Sequence, residues 1–208
     1  MNHLLELPEG AKALYVLAHG AGAGMRHPFM DAIARALAAR GIGTFRYEFE
    51  YMEKKSRRPD APSVAMARVR EAVAEAADAA PGLPLLAGGK SFGGRMTSNA
   101  QAEAALPGVR GLVFLGFPLH PPGKPSIARA DHLDRVLIPM LFAQGTRDEF
   151  AEPGLLGQVL ARLGTRATLH SLEGGDHSFA EPKSSGRSKD DVLAELGETI
   201  RGWAARLW

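Results

Sequence analysis

Residues 88 to 96 read GGKSFGGRM, with Ser91 set between Gly89 and Gly93 at two positions on either side. A serine hydroxyl is too weakly acidic to attack a carbonyl unaided, so it needs a general base in contact and a group that orients the base. Glycines alone do not separate a nucleophile from a turn serine, because they serve ordinary turns as well. The flanks carry more information. LPLLAG upstream is a short apolar run suited to a buried strand, and RMTSNAQAEAAL downstream is helix-forming. Strand, sharp turn and helix are the context of the Gly-x-Ser-x-Gly nucleophile elbow. Asp148 in AQGTRDEF and His177 in EGGDHSF supply the missing parts, with Glu149 standing beside Asp148 as a competing acid. Their chain order, Ser then Asp then His, differs from the trypsin-like and subtilisin-like orders. In that arrangement His177 takes the Ser91 proton and Asp148 holds the imidazole tautomer.

A tetrahedral intermediate also needs hydrogen-bond donors for its oxyanion. The backbone N–H of Phe92, at the start of the helix after the serine, is one expected donor. HGAGAGM offers the other at Ala21, with Gly22 as the alternative, while His19 and Gly20 brace that loop. His27, Lys90, Arg95, His120 and Lys124 are candidates for the substrate pocket, against a packing or solvent-facing role for each. For Lys90 the packing alternative is a buried stem. Asp176, next to the base, is expected to be structural. The seven histidines lack metal-ligand spacing and the carboxylates do not cluster, so no metal and no cofactor are expected. GAGAG lacks the Lys-Ser/Thr of a phosphate-binding loop, which argues against a nucleotide.

These residues need a scaffold that gathers loops from distant parts of the chain. Apolar runs alternate with amphipathic ones: strands at 13–19, 42–49, 83–88, 111–117, 138–145 and 167–172, helices at 27–41, 63–80, 95–106, 154–164 and 191–207. Strict alternation implies parallel strands with helices on both faces, a three-layer α/β/α sandwich. HLLELP adds a possible antiparallel edge strand. In such sheets ligands bind beyond the carboxyl ends of the strands, where Ser91, Asp148 and His177 all fall. The charged stretch EKKSRRPD reads as a solvated loop rather than a polyanion site, because acids bracket its cations.

The 208 residues suit one domain, 1–208, and 45% hydrophobic with 23% charged content suits a globular protein. A net charge of +2 gives little electrostatic attraction for nucleic acid. No apolar run reaches the roughly 20 residues that cross a bilayer, and the N-terminus lacks a secretory pattern, so a cytoplasmic protein is expected. Zero cysteines exclude thiolate catalysis.

HGAGAG, GKSFGG, QGTRDEF and GGDHSF together resemble the α/β-hydrolase superfamily, and most closely its small dienelactone-hydrolase-like members. They look most like a bacterial branch related to the hydrolase-like domains of an NSL-complex subunit and of a testis-expressed protein. The dienelactone hydrolases themselves use a cysteine nucleophile, which this chain lacks. About twenty residues follow the strand ending near Phe117, too few for a sizeable cap. The pocket is therefore expected to be open, or covered only by PLHPPGKP and EKKSRRPD. The resemblance implies a cofactor-independent serine hydrolase of small carboxylic esters or thioesters. A binding or scaffold module that keeps the fold without turnover is the alternative.

Overall fold

A computed structural model describes residues 1–207. Seven strands form one sheet: β1 His3–Glu6, β2 Ala13–Ala18, β3 Ile42–Tyr47, β4 Leu85–Lys90, β5 Val109–Leu115, β6 Met140–Gly145 and β7 Ala167–Leu172. Their spatial order is β1-β3-β2-β4-β5-β6-β7. The expected edge strand is present as β1, antiparallel to β3, and the remaining neighbours are all parallel. The helices are α1 Pro28–Ala38, α2 Glu50–Glu53, α3 Pro62–Ala79, α4 Phe92–Glu103, α5 Pro153–Leu163 and α6 Lys189–Ala204. A 3-10 helix at Ala128–Arg135 is the helical piece between β5 and β6, so no cap domain interrupts the sheet there.

β2, β3 and β6 are buried along their whole length because both faces of the sheet are covered there, whereas the edge strands β1 and β7 are partly exposed. Successive side chains point to opposite faces. Leu14, Val16 and Ala18 of β2 therefore join Val69, Ala72 and Met96 in one core under α3, α4 and α5. Tyr15 and Leu17 join Met30, Ile33, Leu196 and Trp203 in a second core under α1 and α6. Each fully buried Leu, Ile or Phe contributes roughly 1.5–3 kcal/mol.

The chain passes from β2 outward to β3, then returns across to β4 and continues the other way. The helix after β2 and the helix after β4 therefore lie on opposite faces of the sheet. Their loops part above the carboxyl ends of β2 and β4, which is where a crevice opens in sheets of this kind.

Three boundaries differ from the pattern. The strand read at 42–49 ends at Tyr47, because Phe49 caps α2 and its ring packs against Tyr47 and Tyr51. The strand read at 83–88 continues to Lys90 through glycines that look like a terminus in sequence. The helix-forming run read from residue 95 extends back to Phe92, where the oxyanion assignment places the helix start, immediately after the turn at Ser91.

Candidate active site

Ser91 joins β4 to α4 with φ 47° and ψ −113°, a conformation that L side chains rarely adopt. It costs on the order of 1–3 kcal/mol, so its surroundings must enforce it. The Ser91 N–H donates to Leu115 O at 3.1 Å. The neighbouring glycines permit the approach: a Cβ at Gly89 would lie 2.1 Å from Ala18 O, and one at Gly93 2.5 Å from His19 O. At Gly94 a Cβ would lie 2.7 Å from Gly89 O, which brings α4 close to its own strand.

Ser91 Oγ lies 2.9 Å from His177 Nε2, and His177 Nδ1 lies 2.7 Å from Asp148 Oδ2. Donation of the Nδ1 hydrogen to the carboxylate leaves the Nε2 lone pair facing the serine hydroxyl. The Asp148 side chain is fully buried, whereas the competing Glu149 is exposed. Burial of a carboxylate is tolerated when donors satisfy it. Here Gln144 Nε2 donates to Oδ2 at 2.6 Å and the Phe150 N–H donates to Oδ1 at 2.8 Å. The Phe150 ring also covers the imidazole, with centroids 4.3 Å apart. Asp176 accepts from the N–H groups of Ser178 and Ala180, which shapes the loop that carries His177.

The loop after β2 is anchored from below. His19 is wholly buried, with Nδ1 donating to Gly20 O at 2.8 Å and Nε2 accepting from the Phe49 N–H at 3.2 Å. The Gly22 N–H donates to the Tyr51 hydroxyl at 2.9 Å, so it is committed elsewhere and Ala21 is the better placed of the two. Among the described residues neither Ala21 N–H nor Phe92 N–H donates a hydrogen bond, and Phe92 opens α4, where helix N–H groups have no partner within the helix. The Phe92 ring packs edge-on against Phe49, with centroids 5.2 Å apart, which ties the two loops together.

A cavity of about 340 Å³ opens over Ser91 and His177. Its walls are Gly20, Ala21, Ala23, His27, Phe29, Met30, Lys90, Phe150 and Ser178. Two of the five pocket candidates thus line it, His27 and Lys90. Three do not. Arg95 lies on α4 near Arg129 and His132, away from the cavity. His120 is buried as a clamp, with Nδ1 on Pro121 O and Nε2 accepting from the Glu152 N–H. Lys124 is exposed on the Pro-rich loop. Neither PLHPPGKP nor EKKSRRPD contributes to the walls, which leaves the first of the two expectations, a pocket without these covers. The first is held toward Phe150 and Glu152 through His120, and the second is tied back by Asp60, which accepts from the Tyr51 N–H. A larger hollow of about 620 Å³, lined by Lys12, Pro84, Gly108 and Arg110, lies at the opposite end of the strands and holds none of these groups.

Gln144, Phe150, Phe29, Met30 and Tyr51 escaped the sequence reading. Only spacing hinted at them: Gln144 is a polar residue in an apolar strand four places before Asp148, and Phe29 and Met30 open the helix that follows the glycine loop.

A family model described as "Alpha/beta hydrolase domain" matches residues 11–205. Among solved structures, a dienelactone hydrolase from Anabaena variabilis is 21% identical with a TM-score of 0.76, over 99% of this chain and 91% of that one. An α/β serine hydrolase without lid from Xanthomonas campestris is 22% identical with a TM-score of 0.74, over 97% and 88%. Est1E from Butyrivibrio proteoclasticus, with ferulic acid bound, is 15% identical with a TM-score of 0.74, over 99% and 94%. At these identities the likeness is one of fold.

Proposed function

The chain belongs to the alpha/beta hydrolase domain family, and from that premise we propose that it is a cofactor-independent serine hydrolase of small carboxylic esters or thioesters, acting in the cytoplasm as one domain, 1–208. The observation that carries this reading is the hydrogen-bonded relay from Ser91 Oγ through His177 to Asp148, at 2.9 and 2.7 Å. In the first half-reaction Ser91 Oγ attacks the carbonyl carbon while its proton passes to His177 Nε2. The carbonyl oxygen becomes an oxyanion facing the Ala21 and Phe92 N–H groups. Collapse breaks the bond to the leaving oxygen or sulfur, which takes the proton from Nε2. Water then enters, gives its proton to Nε2 and attacks the acyl-Ser91 carbon. A second collapse frees the acid and returns the proton to Ser91. Asp148 holds the imidazole in its tautomer and stabilises the imidazolium.

The cavity volume of about 340 Å³, near the lower end for ligand sites, supports a small acyl group, and Phe29, Met30 and Phe150 favour an apolar one. The strained serine aligned on His177 and Asp148 supports turnover over a scaffold role. A fluorophosphonate probe tests the proposal. The wild type is expected to label stoichiometrically and Ser91→Ala not at all, with ester hydrolysis falling by roughly a thousandfold or more in the variant. Equal labelling of both proteins would overturn it.

A further inference from the structure

Lys90 precedes the nucleophile, and its Nζ donates to the backbone carbonyl of His177 at 2.6 Å. The same ammonium stands 5.3 Å from the centre of the Phe179 ring. Gly116, in the turn after β5 with φ +71°, leaves the space these groups need: a Cβ there would lie 2.9 Å from Lys90 Nζ, 3.4 Å from His177 Nδ1 and 3.5 Å from Asp148 Oδ2. The exits of β4, β5, β6 and β7 therefore converge on one ammonium. The loop bearing His177 begins EGG, and although Asp176 folds its far side, the Lys90 bond is the one that grips the His177 backbone carbonyl.

We infer that Lys90 is a positioning residue for the general base, its ammonium holding the His177 backbone so that the imidazole stays in line between Asp148 and Ser91. This inference rests on the serine-hydrolase reading. A charged donor suits the task, because hydrogen bonds from ionised groups are shorter and about twice as strong as neutral ones. The groups facing the ammonium are Asp148 and Asp176, which favour its charge, and His177 and, across the cavity, His27. Burial opposes them and prevails, pushing Lys90 down to about 8. The bond is thus charge-assisted below that pH and weakens above it, so turnover falls as pH rises through this point.

The test is the pH dependence of kcat and KM on a soluble ester for the wild type, Lys90→Met and Lys90→Arg. Lys90→Met keeps an unbranched stem and removes the donor. It is expected to lower kcat about ten- to a hundredfold with KM little changed, and to lose the alkaline fall that the wild type shows near pH 8. Lys90→Arg, which stays charged, is expected to carry activity to higher pH. An alkaline fall at the same pH in Lys90→Met, or an unchanged kcat, overturns the inference. If Lys90→Met does not fold, a fall in Lys90→Arg that stays where the wild type has it overturns it as well. Fluorophosphonate labelling separates the two readings. A wild type that neither labels nor hydrolyses esters removes the hydrolase reading and this one with it. An active, labelling wild type with an unchanged Lys90→Met profile removes the role of Lys90 alone.

Discussion

Gln144 does two jobs with one amide. Its Nε2 donates to Asp148 Oδ2 at 2.6 Å, and its Oε1 accepts the Phe117 N–H at 2.8 Å. Gln144→Leu leaves a buried N–H without a partner and removes one donor from a buried carboxylate, at a cost of about 1–3 kcal/mol for the N–H. We expect a lower denaturant midpoint, together with a lower kcat at nearly constant KM, because the carboxylate orients the base and does not touch substrate. Unfolding and steady-state kinetics on the same variant check both. Ser91, Asp148 and His177 stand out in the sequence because each is a reactive side chain in a glycine-bearing loop. Gln144 does not, since its role depends on what the loops after β5 and β6 present to it. His120 and Arg95 misled for the converse reason: polar residues in loops and on helix faces satisfy backbone groups and neighbours as readily as ligands.

At the scale of elements, α4 is attached to its surroundings at its first turn and at mid-length. Gly93 and Gly94 bring its first turn against β2 and β4, and further along Ser98 Oγ lies 2.7 Å from His132 Nε2 on the 3-10 helix. Burial, reinforced by Arg95 and Arg135, pushes His132 down to about 4 from an ordinary 6.5. As pH falls through the interval between those values, the unfolded chain takes up a proton that the folded chain refuses. Stability is therefore intact above pH 6.5 and declines toward pH 4, by at most about 1.4 kcal/mol per pH unit from this group. His132→Gln is expected to flatten that decline, as read from denaturant midpoints at a series of pH values; an unchanged slope would show that other groups set it. The alternation of strands and helices was legible from apolar periodicity alone. The ends of β3 and β4 were not, because Gly88, Gly89 and Phe49 take their conformation from neighbours far away in sequence.

For the molecule as a whole, the reversal of strand order between β3 and β4 decides where chemistry can occur. It sets the glycine loop after β2 beside the elbow after β4, while β6 and β7 deliver the acid and the base from the same edge. That Ser91, Asp148 and His177 each follow a strand implied a shared rim from the sequence alone. The identity of the walls was hidden, because Phe29 and Met30 reach the rim through the packing of α1, which the sequence does not reveal.

That packing sets a timetable for synthesis. α1 emerges early, yet the core that seats it is completed by Val192, Leu196, Ile200 and Trp203 of α6, which follows all seven strands. Phe179, also late, stacks on Phe29 at 5.9 Å. A chain that lacks α6 but is carried clear of the ribosome on a long linker presents all three reactive side chains without the support for one wall of its cavity. Chains ending at Arg187 and chains carrying α6, both arrested on the same long linker, are expected to be respectively inert to and reactive with fluorophosphonate, so that hydrolytic competence arrives only with α6. Early labelling of the shorter chains would show that the first core alone assembles the site.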